Sequence, residues 1–170
     1  MGLFDLFKKD SKNESVSKNI QICGCTNGKF VKLAELGDGV FSEGILGQGF
    51  AIEPKDGTIY SPADAVVINT VDSKHAIGML INDSVELLIH VGLDTVMLNG
   101  EGFELLVSEG QKVKKGEPIL KADLNFIANS GYKYTVVNVF TNVPENADIK
   151  IYDNLSDVNT NDILTEITLK

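Results

Sequence analysis

From about residue 20 onward, glycine-bearing turn signals recur roughly every ten residues along this chain. They are Thr26-Asn27-Gly28, Gly37-Asp38-Gly39, Asp56-Gly57, Asn99-Gly100-Glu101-Gly102, Glu109-Gly110 and Lys115-Gly116. Short apolar or alternating runs lie between them: Ala65-Val71, Val85-Val91, Lys112-Val113, Ile119-Lys121, Tyr134-Phe140 and Ile163-Thr168. A chain punctuated this densely has no room for long helices. It is expected to be all-β, an antiparallel sandwich or barrel with short helical turns. Only Asp123 to Tyr132 reads as weakly helical.

Residues 1–19 differ from the rest. Met1 to Lys9 is apolar with basic residues behind it, and Asp10 to Lys18 is rich in Ser, Lys and Asn. The expectation is a flexible N-terminal segment followed by a single domain over 20–170. Residues 1–9 could form a short amphipathic helix at a membrane surface, or be disordered. Leu6 stands where a myristoylation signal needs Ser or Thr.

Charge narrows the function classes. With 24 acidic and 15 basic residues, the net charge is -9. That excludes the basic footprint of a nucleic-acid binder. Cys23 and Cys25 are too close to form a disulfide framework, so a reducing compartment fits. No apolar run approaches the roughly 20 residues of a membrane span, and no cleavable signal is recognised. The expected location is cytoplasmic, with peripheral contact at the inner membrane face left open.

The chain has two histidines, His75 and His90. They flank Asn82-Asp83, which sits between two apolar runs and reads as a two-residue hairpin turn. If Ile81 pairs with Ser84, His75 faces His90 directly. Opposed residues share a face with Cβ atoms roughly 5 Å apart. Ser73 would then oppose Gly92 and lean towards an imidazole, and Leu88, Ile77 and Asp94 would edge the same face. A one-residue shift of the register would throw the two rings to opposite faces.

Three chemistries suit such a face. Zinc hydrolysis usually needs three protein ligands, and His75, His90 and Asp94 barely supply them. Nucleophilic hydrolysis needs an activated Ser or Cys, and Ser73 has no nucleophile-elbow context. Phosphoryl transfer through histidine needs positioning and charge stabilisation. A neutral imidazole is ready to attack without a separate base, since its ordinary pKa is about 6.5. No cofactor is required. Zinc bridging His75 and His90, adventitiously or at a partner interface, stays open as a side possibility and not as the working metal.

The run Val85-Glu86-Leu87-Leu88-Ile89-His90-Val91-Gly92-Leu93-Asp94-Thr95-Val96, followed by Leu98-Asn99-Gly100-Glu101-Gly102-Phe103, resembles the signature of the glucose-type enzyme IIA family of the bacterial sugar phosphotransferase system. The likeness continues through Glu109 to Gly116, and upstream through Lys74 to Ile77 and Asp38 to Phe41. The resemblance implies a barrel-sandwich hybrid of the duplicated type. It implies that His90 accepts a phosphoryl group from the phosphocarrier HPr and passes it to a cysteine of a IIB domain. His75 would hold the phosphoryl group, supported by the Ser73 hydroxyl. Asp38 and Asp94 match carboxylates that pair with a basic residue of HPr. Val40, Phe41, Ile45, Leu46, Leu88 and Val96 match or replace an apolar rim on which partners dock. Regulated transporters or kinases could dock there too, and a regulator with little transfer activity is the alternative reading.

Two loosely similar segments, Gly57-Val67 and Glu109-Leu120, have the flavour of biotinyl and lipoyl carriers. Neither holds the lysine that such carriers modify, so a swinging-arm carrier is rejected. The chain departs from the enzyme IIA pattern at Gly24-Cys25-Thr26-Asn27-Gly28, where Ala-Pro is common, and at Asp64-Ala65, where Asp-Gly is usual. These changes put the first hairpins in question and leave the relay chemistry intact. Cys23 and Cys25 are expected to be buried or half-buried thiols.

Overall fold

The computed structural model describes residues 18–170. The expected membrane-surface helix at 1–9 and most of the linker therefore lie outside the described residues. Strand pairing starts at Lys18 and Asn19, which lie opposite Leu169 and Thr168.

The strands, in chain order, are β1 (Lys18–Cys23), β2 (Gly28–Lys32), β3 (Gln48–Pro54), β4 (Thr58–Tyr60), β5 (Ala65–Thr70), β6 (Ala76–Ile81) and β7 (Val85–Val91). They continue with β8 (Phe103–Leu105), β9 (Lys112–Val113), β10 (Pro118–Ala122), β11 (Val136–Asn142), β12 (Asp148–Ile151), β13 (Asp157–Val158) and β14 (Ile163–Leu169). The weakly helical stretch is one helix, α1 (Leu124–Asn129). Asp123 caps it by accepting the Phe126 N–H. Leu33–Glu35 and Thr95–Leu98 are short 3-10 turns.

The strands form an eight-stranded sheet, β13-β2-β3-β11-β7-β6-β5-β9, and two three-stranded sheets, β1-β14-β12 and β4-β10-β8. Neighbours are antiparallel, including β11 against both β3 and β7. The two loosely similar segments turn out to be partners: Tyr60 lies opposite Pro118, and Ala65 opposite Val113. Gly28 accommodates the first departure from the family pattern. A side chain there would place its Cβ 2.0 Å from the Glu53 carbonyl oxygen, so β2 can lie against β3 only with glycine at that point.

Two layers of apolar side chains hold the sheet. The inner faces bury Val85, Leu87, Ile89 and Val91 from β7 with Ile77, Met79 and Ile81 from β6. Each such side chain contributes about 2 kcal/mol when fully buried. A second, smaller cluster lies elsewhere: Leu33 and Phe41 pack on Ala51, Val137 and Val139. The segment between β2 and β3 thus folds over the outer faces of β3 and β11 and ends beside β7. Cys23 and Cys25 are buried and unbridged. Burial pushes the Cys25 thiol up to about 11, with the hydrogen bond from Asn138 opposing it.

The β6–β7 hairpin departs from the expected register. Ile81 pairs with Val85, not Ser84, and Asn82-Asp83-Ser84 form a three-residue connection. Asn82 and Asp83 both take positive φ, 51° and 55°, which their short polar side chains tolerate. Ala76, not His75, therefore lies opposite His90. Ile77 also moves: it pairs with Ile89 and is buried in the core rather than edging the histidine face.

Candidate phosphoryl-transfer site

A one-residue shift should separate the two histidines, yet their ring centres are 4.6 Å apart and nearly perpendicular. The reason is local. His75 lies just outside β6, after Lys74 at φ +58°. The left-handed residue breaks the strand, so side-chain alternation does not extend to His75. Its carbonyl still accepts the Val91 N–H at 2.7 Å, which anchors it beside β7. The pair is real, but the turn at residue 74 creates it and the hairpin register does not.

His90 stands on the outer face of β7 with Glu86 and Leu88, as alternation predicts. Its Nδ1 donates to the Gly92 carbonyl at 2.8 Å. A carbonyl only accepts, so this bond puts the proton on Nδ1 and leaves the Nε2 lone pair free. Gly92 has φ +83°, and a Cβ there would lie 2.3 Å from Thr95 Cγ2 and 2.7 Å from the Lys133 carbonyl oxygen. Only glycine fits. The chain is tied down on both sides of this point: Gly92 N–H donates to the Thr135 carbonyl, and the buried Thr95 hydroxyl donates to that of Val91. The acceptor of His90 is thus held by its surroundings.

His75 is 6% exposed, and its Nδ1 shares a 2.8 Å hydrogen bond with the Ser73 hydroxyl. The imidazole towards which Ser73 leans is thus that of His75. Phe103 lies on the other side of His75, with ring centres 6.4 Å apart.

Both imidazoles are pushed towards the neutral form. Burial lowers the His90 pKa to about 4, and the neighbouring His75 adds to this. The Gly92 hydrogen bond and the charges of Asp94 and Asp38 oppose it. Burial also lowers His75, against a hydrogen bond at Ser73. Burial would raise Asp38, but the N–H groups of Phe41 and Ser42 donate to its carboxylate and hold it below its ordinary value.

A cleft of ≈ 300 Å³ opens beside His90, lined by Asp38, Val40, Phe41, Leu46, Leu88, Leu93, Asp94 and Val96. Asp94 has left the strand and takes φ +59° at the start of the 3-10 turn. Val40, Ile45, Leu46 and Val96 are exposed, while Leu88 is half-buried. Phe41 lines the cleft from a buried position: it is 7% exposed, and its ring centre lies 5.0 Å from that of His90. Residue-by-residue reading missed Leu93, the Gly92 carbonyl and Met97. Met97 is 66% exposed next to Val96, and its large apolar side chain on a polar-flanked turn was the available signal. Among the described residues, no group of three or more His, Cys, Asp or Glu is placed to hold a metal ion. No helix among them is long and apolar enough to cross a membrane.

A family model described as the phosphoenolpyruvate-dependent sugar phosphotransferase system, EIIA 1, matches residues 20–146. The chain belongs to this family. It is 42% identical over 149 residues to the PTS system glucose-specific EIIA component of Staphylococcus aureus, a match covering 87% of this chain and 90% of that protein. The component of the same description from Staphylococcus epidermidis is 39% identical over 149 residues, with the same coverage. Among solved structures, glucose permease IIA from Mycoplasma capricolum superposes with a TM-score of 0.80 at 32% identity, covering 88% of this chain and 96% of that one. The expected all-β sandwich is thus the fold of an enzyme IIA. The protein is a phosphocarrier of the sugar phosphotransferase system, a phosphotransferase relay component. Membership implies exchange with HPr and a IIB component.

Proposed function

We propose that His90 Nε2 is the atom that carries the phosphoryl group in this relay. The observation that carries the reading is the Nδ1–H bond to the Gly92 carbonyl. It leaves Nε2 as the free nucleophile and steadies the positive charge that develops on the ring as a bond to phosphorus forms. In the forward step, the Nε2–P bond forms as the phosphorus–nitrogen bond to HPr breaks. In the second step, a IIB cysteine thiolate takes the group and His90 returns to its neutral form. No external base is needed, because burial already keeps His90 neutral.

His75 supplies the oxyanion contact. When the Ser73 hydroxyl donates to its Nδ1, His75 carries its proton on Nε2 and can donate to a phosphoryl oxygen. The described site holds two carboxylates, Asp38 and Asp94, close enough to act on His90, so an approaching partner is attracted through its own cations. Val40, Ile45, Leu46, Leu88 and Val96 offer the apolar rim, and Met97 extends it. A transporter or kinase that reads the phosphorylation state would use the same face.

The test is phosphoryl uptake. The chain is incubated with enzyme I, HPr and phosphoenolpyruvate and followed by mass spectrometry. We expect a gain of one phosphoryl group in the wild type and none in His90→Ala. An equal gain in the variant sinks the assignment.

A further inference from the structure

Asp38 lies beside the cleft, and the simplest role for its carboxylate is to attract a cation on the partner. Its hydrogen bonds say more. Oδ2 accepts the Phe41 N–H and Oδ1 accepts the Ser42 N–H, each at 2.9 Å. Ser42 answers from the other side, its hydroxyl accepting the Gly39 N–H at 3.1 Å. The Phe41 carbonyl then accepts the Gly44 N–H at 3.1 Å. Both oxygens of Asp38 are thus engaged in closing its own loop.

That closure has a consequence at the reacting ring. The loop turns its residues two ways. Val40 and Ile45 face solvent, whereas Phe41 is driven inward onto Leu33, Ala51, Val137 and Val139. From there the Phe41 ring meets the imidazole of His90 edge-on, with centres 5.0 Å apart at 61°. His90 is therefore flanked by Phe41 on one side and by His75 on another. An aromatic edge at this distance both orients a ring and excludes water from it.

We propose that Asp38 is a positioning residue, whose carboxylate closes the 39–42 loop and so sets the Phe41 ring against His90. This rests on the reading of His90 as the phosphoryl acceptor. Burial holds the His90 pKa low, and the Phe41 ring packs against that imidazole. The titratable groups acting on His90 are His75 before β6, Asp94 after β7 and Asp38 itself. The facing position on β11, Val137, is apolar.

Two substitutions separate positioning from simple charge. Asp38→Glu keeps the charge, but its extra methylene carries the oxygens past the Phe41 and Ser42 N–H groups. Asp38→Asn loses the charge and can still accept one of them. The full chain is titrated by NMR at His90, and phosphoryl uptake from phospho-HPr is timed. Positioning predicts that Asp38→Glu is the worse variant: the His90 pKa rises from about 4 towards its ordinary value of about 6.5, and uptake slows about tenfold. Asp38→Asn should lose less. A charge role predicts the reverse order, and a loss in Asp38→Asn equal to or greater than that in Asp38→Glu overturns the proposal. If Asp38→Glu does not fold, Phe41→Leu carries the test. It should raise the His90 pKa with the loop closed, and an unchanged titration again overturns the proposal. Wild-type protein that takes up no phosphoryl group refutes the His90 assignment instead, while the titration still decides whether Asp38 positions the ring.

Discussion

The two sides of the site hold their histidines by unlike means. His90 sits near the end of a ladder strand, between β6 and β11, with its Nδ1 bound to a main-chain carbonyl. His75 sits beyond the end of β6, after a left-handed lysine, with its Nδ1 bound to a side-chain hydroxyl. The first arrangement fixes a tautomer without choice, because a carbonyl only accepts. The second can be rearranged, because a hydroxyl donates or accepts. A phosphocarrier gains from this asymmetry. On the proposed assignment, the attacking nitrogen stays constant, while the supporting ring can adjust its proton as the phosphoryl group arrives and leaves.

Gly92→Ala should break the comparison most severely, because it strikes the fixed side. It forces a non-glycine residue to positive φ and a Cβ onto Thr95 and the Lys133 carbonyl. We expect about 3 kcal/mol of lost stability by denaturant unfolding. Loss of His90 from its ladder setting should follow in the same variant.

Acid unfolding comes next and again singles out His90. Its folded pKa, about 4, lies below the ordinary value of about 6.5, so the unfolded chain binds the proton first. Stability is therefore full above about pH 6.5 and falls as the pH drops towards 4, by about 3 kcal/mol from this group. His90→Leu should flatten that limb of the stability curve. A curve of unchanged slope would mean that His90 is not held neutral by burial.

On the adjustable side the effects should be smaller and kinetic. His75→Ala should still accept the phosphoryl group from phospho-HPr but pass it to IIB about a hundredfold more slowly, the usual consequence of losing one well-aimed oxyanion donor. Quench-flow transfer to a IIB domain measures this, and equal forward rates would remove His75 from its role. Ser73→Ala should cost least, about 1 kcal/mol in the forward barrier, because it removes one hydrogen bond behind His75. If Ser73→Ala matched His75→Ala, the proton placement on His75 would matter as much as the ring itself.

Much of this organisation was legible in the residues, for physical reasons. Turn glycines and alternating runs mark strands directly, so β7 and β9 fall on their expected bounds and α1 lies inside its expected stretch. The histidine pair was also visible, but through the wrong cause. A two-residue hairpin was read at Asn82-Asp83, whereas Ser84 joins the connection and the register moves by one. Lys74 in the left-handed region undid that error, and no composition rule marks a lysine for that conformation. Phe41 was placed on the rim by the family resemblance, and the structure buries it. Its burial depends on Val137 and Val139, about a hundred residues away in sequence, whose outer-face cluster alternation within β11 does not announce. The Gly92 carbonyl was invisible for a simpler reason: main-chain acceptors have no letter in the sequence.

In the proposed relay, the Gly92 carbonyl dictates which nitrogen of His90 reacts. The direct measurement is 15N and 31P NMR on the chain after phosphorylation by phospho-HPr. One phosphorus–nitrogen coupling is expected, at His90 Nε2, with Nδ1 of the same ring still protonated. A phosphoryl group found on His90 Nδ1, or on His75, would contradict it.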